Sequence, residues 1–134
     1  MEDEMDKVAE EIERYHLTDT KTIKARKIQI LQNITIEKEE LLQYYKLLSQ
    51  YRYIDEVDEL RMGNYIRFFN LDTKTVKLGR GGFLADIQVH NQRIVLLFKN
   101  RNRFFKLRMD ECILFQKNTA QENILIQILD QIKR

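Results

Sequence analysis

The chain has 134 residues, 43% of them hydrophobic and 33% charged, with one cysteine, four glycines and no proline. This length fits one domain with an extension or two small modules. The lone Cys112 excludes an internal disulfide, and the longest apolar run, Ile94 to Phe98, is far short of the ~20 residues that cross a membrane as helix. The acidic start, MEDEMDKVAEE, has no apolar stretch and is not read as a signal peptide.

Residues 1–50 read as helix. Val8, Ile12 and Tyr15 are spaced by four and three, as on one face of a short amphipathic helix. Asp19 or Thr20 offers an N-cap for a second helix carrying Ile23, Ile28, Leu31 and Ile34. Thr35 precedes Ile36-Glu37-Lys38-Glu39-Glu40, a fresh helix start with acids at its positive end. Leu41, Leu42, Tyr45, Leu48 and Tyr51 line the next stretch. One long helix and two shorter ones both fit residues 21–50. A heptad through Ile34, Leu41 and Leu48 fails at Glu37 and Lys38, where its second seam position should be apolar. A helical hairpin, a helix packed on the β module and a coiled coil therefore all stand, the last implying a homodimer.

Residues 63–117 change character, with β-branched and aromatic residues replacing acids. Strands are expected at Tyr65 to Phe69, Phe83 to Val89, Arg93 to Phe98, Phe105 to Met109 and Cys112 to Phe115. In the second, Phe83, Ala85, Ile87 and Val89 alternate with Leu84, Asp86 and Gln88, which predicts the first set on one buried face. Gly79-Arg80-Gly81-Gly82 marks a turn or bulge. Its G-x-x-G spacing clamps phosphates in KH domains, but there between two helices, whereas here it opens a strand. Five short strands predict a small antiparallel barrel or a strongly bent sheet, the SH3-like barrel being the first choice. Thr119 to Glu122 is a capping box, and Ile124, Leu125, Ile128, Leu129 and Ile132 stripe a C-terminal amphipathic helix. The fold class is α+β, divided into an acidic helical region, 1–52, and a basic barrel with its last helix, 53–134.

The net charge of +2 hides a strong division. Residues 61–108 hold eleven bases against Asp72 and Asp86, residues 1–60 hold nine bases against fifteen acids, and residues 109–134 three against four. His16, His90 and Cys112 show no metal-ligand spacing, so no metal or other cofactor is expected. Cys112 lies in an apolar strand, as an inert thiol would. Nothing pairs a base with an orienting group, and the chain is read as non-enzymatic.

The run Gly63-x-Tyr65-Ile66-Arg67-Phe68-Phe69, then Gly81-Gly82-Phe83-Leu84, an apolar strand and Phe115-x-Lys117, resembles small uncharacterised proteins of large eukaryotic DNA viruses. The likeness covers about residues 53–117, and Arg103-Phe104-Phe105-Lys106-Leu107 stands where those proteins often carry a Trp-containing strand. It implies a viral protein, located inside the infected cell or in the virion.

Two functional readings fit these features. In the first, Arg67, Lys77, Arg80, Lys99, Arg101, Arg103, Lys106 and Arg108, with the exposed aromatic Phe104, contact nucleic-acid phosphates with little sequence preference. In the second, the chain is a structural protein of a virus particle or complex. Its interfaces are then Ile34, Leu41 and Leu48 on the N-terminal helices and Ile124 and Ile128 on the last, and its basic face meets an acidic protein partner. The two part on whether the acidic helices cover the cationic turns. No membrane partner is expected.

Overall fold

The computed structural model describes residues 2–35 and 37–132. Three helices come first: α1 (Glu2–Arg14), α2 (Thr20–Ile34) and α3 (Lys38–Leu47). Six strands come next: β1 (Tyr51–Ile54), β2 (Tyr65–Asn70), β3 (Gly82–His90), β4 (Arg93–Asn100), β5 (Arg103–Arg108) and β6 (Cys112–Lys117). Helix α4 (Ala120–Ile132) closes the described chain. No helix among the described residues is long and apolar enough to cross a membrane.

The N-terminal region forms separate helices. Asp19 caps α2, its carboxylate accepting the Thr22 N–H at 3.0 Å. Thr35 ends α2, and its hydroxyl accepts the Glu37 N–H at 3.2 Å on the way into α3. Ile36, expected within that new start, lies outside the described residues. Helix α3 stops at Leu47 because the next carbonyls turn to another donor: the buried Lys27 ammonium donates to the Leu48 and Tyr51 carbonyls at 2.8 and 2.7 Å.

The strands form one antiparallel sheet in the order β1-β6-β2-β3-β4-β5. Its edges, β1 and β5, do not pair, so the expected five-stranded closed barrel is instead a six-stranded open sheet. The extra strand is Tyr-Arg-Tyr-Ile at 51–54, a sequence of high strand propensity that a helical pattern extended to Tyr51 conceals. The boundary expected at residue 52 thus falls inside β1.

The inner face of the sheet carries Ile54, Ile66, Leu84, Leu96, Phe98 and Leu114, with Phe68, Phe105 and Leu107 packed against them. Each fully buried aliphatic or Phe side chain here contributes about 1.5–3 kcal/mol of transfer free energy. On the outer face, Phe69 and Phe115 meet Leu31 of α2 and Tyr44 and Leu48 of the α3 end. Tyr45, Tyr51 and Tyr53 complete that layer, so with Tyr44 four tyrosines take part in the helix–sheet packing. Helix α4 turns Leu125 and Ile126 inward and fastens to α2, where Asp130 accepts from the Thr20 N–H and hydroxyl, both at 2.6 Å.

Two irregularities shape the sheet. Strand β3 pairs with β2 at only two positions, Tyr65 with Phe83 and Ile66 with Gly82, before the strands diverge. Gly81 makes that crossing: its φ is +84°, and a Cβ there would lie 2.0 Å from the Ile66 carbonyl oxygen. Within β3 the register shifts between Leu84 and Asp86, so Ala85 is a bulge. The bulge reverses the expected alternation on its N-terminal side, whereas Ile87 beyond it packs on the inner cluster as expected. Leu84 is buried whereas Phe83 is 52% exposed, and Val89 is exposed at the far end of the strand.

Candidate nucleic-acid interface

The cationic side chains of residues 61–108 divide into two groups. Three are neutralised. Arg61 donates to Glu11 at 2.7 Å and Glu122 at 3.0 Å, Arg93 lies 3.7 Å from Asp110, and Arg108 pairs with Glu111 at 2.9 Å. Arg108, expected in the phosphate-binding set, is therefore drawn towards acids of its own chain. By contrast, no carboxylate among the described residues comes within 4 Å of the cationic groups of Arg67, Lys74, Lys77, Arg80, Lys99, Arg101, Arg103 or Lys106. Three acids of the N-terminal region pair elsewhere, Glu11 with Arg61, Asp55 with Arg26 and Glu59 with His16.

Four of the free cations converge. Arg67 and Arg80 on one side, and Arg101 and Arg103 on the other, line an open groove of about 990 Å³ floored by Phe68 and Phe105. The divergence of β2 from β3 creates one wall. There the Arg67 guanidinium donates through Nε to the Gly79 carbonyl at 3.0 Å, which fixes its direction. The β4–β5 hairpin supplies the other wall, with Arg101 at its tip at a φ of +58°. Asn100 ties the walls together, its side-chain amide donating to the Gly81 carbonyl at 2.7 Å. The glycine cluster thus holds the groove's backbone rather than clamping an anion itself.

Lys99 and Lys106 lie outside the groove, on the outer face of β4 and β5 beside the 59%-exposed Phe104. The Lys99 ammonium stands 5.5 Å from the Phe104 ring centre. Lys77 is exposed on the loop that leads to the groove. A smaller hollow of about 440 Å³ adjoins on the β1 side, lined by Tyr51, Tyr65, Phe83 and Lys117. Tyr65 borders both spaces. The alternation pattern assigns Phe83 to the buried face, and neither Tyr65 nor Lys117 belongs to the expected site residues. The Gly81-Gly82 pair before the strand is the available sign that its phase can slip.

The residues expected to make protein interfaces separate in the same way. Leu48 is fully buried in the chain's own core, and Ile34 and Leu41 pack on that cluster. A seam through these three is thus satisfied internally. Ile124 and Ile128, 57% and 45% exposed, stay on the surface of α4.

Other chemistry is sparse. His16, Glu56 and Asp58, all exposed, place one ligand atom each within 4.8 Å of one another, a set able to offer a nitrogen and two oxygens to a divalent cation. Sequence spacing hides this set, since residues 16 and 56 are joined only by folding. His16 Nδ1 also lies 2.8 Å from a Glu59 oxygen. Burial, then the charges of Glu111 and Asp110, push the Cys112 thiol up to about 11, which suppresses its thiolate. No family model matches the chain, and neither a curated protein nor a solved structure matches it.

Proposed function

We propose that the chain is a non-enzymatic nucleic-acid-binding protein that holds the phosphate backbone in the groove between the 79–81 segment and the β4–β5 hairpin. One observation carries this reading: four guanidinium groups line one groove and none has a carboxylate partner among the described residues. Guanidinium forks match phosphate oxygens in geometry and keep their charge at any physiological pH. Lys77, Lys99 and Lys106 extend the positive field beyond the groove and favour encounter. Guanidinium groups that meet phosphates position the polymer without reading base edges, so the recognition is of backbone and not of sequence.

Binding should depend steeply on salt. Four phosphate contacts on a single strand give a slope of about −3 in log K against log salt, or a loss of roughly 50-fold between 50 and 200 mM. A filter-binding titration at those two concentrations tests the reading, and absence of binding at the lower one removes it.

A second reading draws on a different observation. Ile124, Ile128 and Ile132 are exposed in a row on α4, an apolar stripe on the helix's solvent side. Such a stripe suits a structural protein of a virus particle or complex, acting through protein contacts. Light scattering with substitutions along the stripe would then show a change of assembly that leaves nucleic-acid binding intact.

A further inference from the structure

A row of side chains crosses the outer face of the sheet, starting from Tyr65 at the rim of the groove. Tyr65 on β2 pairs with Phe83 on β3, Phe83 with Lys99 on β4, and Lys99 with Phe104 on β5. Residues paired across adjacent strands project to the same face. Phe83 and Phe104 are each more than half exposed, and they stand two strands, or about 10 Å, apart. The platform is braced. The Tyr65 ring meets Phe83 edge-on with centres 5.0 Å apart, and the Tyr65 hydroxyl donates to the Arg80 carbonyl at 2.7 Å. One aromatic is thereby fixed to the arginine wall of the groove, and the other has the Lys99 ammonium above its ring.

We infer that this row is a stacking platform and that the polymer is single-stranded nucleic acid, with bases laid on Phe83 and Phe104 while the backbone tracks Arg80, Arg101 and Arg103. The inference rests on the proposed function and adds the form of the ligand. A duplex keeps its bases stacked on each other and gains nothing from exposed phenyl rings. A single strand presents unstacked faces, and each base stacked on an aromatic side chain strengthens binding roughly five- to hundredfold. Every base has such a face, which keeps sequence preference low. The spacing of two rings beside four arginines fits a short stretch of strand.

Fluorescence anisotropy tests this with a mixed-sequence 20-nucleotide DNA strand, the same strand as RNA, and their duplexes. The proteins are the full chain, the Phe83→Ala/Phe104→Ala variant and the Arg101→Gln/Arg103→Gln variant. Wild type should prefer single strands of either sugar. The aromatic variant should lose at least tenfold on single strands, with the salt slope and duplex binding unchanged. The arginine variant should weaken both forms and flatten the slope by about 1.4. Phe83→Leu/Phe104→Leu retains apolar bulk without the rings and should reproduce the aromatic loss if stacking is responsible. Preference for duplex, or an aromatic variant that binds single strands like wild type, overturns the platform while the phosphate groove stands. No binding of any form at low salt removes the groove and the platform together.

Discussion

The Arg52 guanidinium faces the Glu122 carboxylate through two bonds, 2.9 and 2.6 Å long, between side chains that are 5% and 0% exposed. Glu122 also accepts from Arg61 Nε and from the Thr119 N–H, while its own N–H donates to the Thr119 hydroxyl. One carboxylate therefore closes the capping box of α4 and bonds two arginines from the sheet side, the second of which also has Glu11. Removing it leaves the buried Arg52 guanidinium without a counter-charge, its remaining bond being to the neutral Asn118 side chain, which costs about 3–5 kcal/mol. Glu122→Ala should lower the denaturant midpoint accordingly. Arg52→Met/Glu122→Met, which removes both charges, should recover most of that loss.

The same pair makes stability acid-sensitive. Burial alone would raise the Glu122 carboxyl, but the bonds and charge of Arg52, with help from Thr119 and Arg61, bring it below its usual value. A carboxyl lowered in the folded state stabilises it above the unfolded pKa, about 4.3, and this contribution fades as pH falls through the folded value. Urea unfolding of wild type should therefore weaken below about pH 4.3, and Glu122→Gln should flatten that part of the profile.

Gly63 and Gly81 share a φ of +84° but differ in surroundings. Nothing lies within 4 Å of a Cβ at Gly63, whereas at Gly81 it would strike the Ile66 backbone. Gly63→Ala should cost about 1 kcal/mol, the backbone penalty alone. Gly81→Ala should cost several times as much, since backbone must move. Paired thermal melts measure the difference, which isolates crowding from conformation.

Net charge and groove charge can be separated. Arg101→Gln/Arg103→Gln and Arg93→Gln/Arg108→Gln remove the same two charges, but only the first pair lines the groove. The first should weaken nucleic-acid binding about tenfold and the second less than twofold. Equal losses would show that overall charge, not the groove, governs binding.

Lys27 makes stability rise with pH again in the alkaline range. Its burial, then the charge of Lys24, lower its pKa from 10.5 to about 8. The unfolded chain thus binds more protons between these values, and the stability of the folded state rises with pH there. Cys112, raised to about 11, pulls the other way above pH 9, so the clean window is pH 8 to 9. Wild type should gain about 1 kcal/mol across it, and Lys27→Met should not.

Much of the architecture was legible because local signals agreed. The Asp19 cap, the capping box at Thr119 and five of the six strands arise from short-range chemistry. The cations at residues 80, 101 and 103 were legible as residues in or beside two turns, but it was not legible that the acidic helices would leave them unpaired. What escaped the sequence was phase and reach. Ala85 bulges out and moves Phe83 to the surface, which alternation alone cannot reveal. Likewise, Arg108 is claimed by Glu111, Leu48 by the internal core, and Arg52 by a carboxylate 70 residues away. Strand closure also depends on how far β1 and β5 curl, and no single residue encodes that.

The clasp between Thr20 and Asp130 and the fork between Arg52 and Glu122 bear on how the chain matures. Both join early segments to α4, which leaves the ribosome after the whole sheet has emerged. Until then, β1 carries a guanidinium with no counter-charge and α2 begins with unanswered donors. Nascent chains cut before residue 120 should accordingly remain protease-sensitive, and folding of the sheet should wait for α4 rather than proceed in step with synthesis.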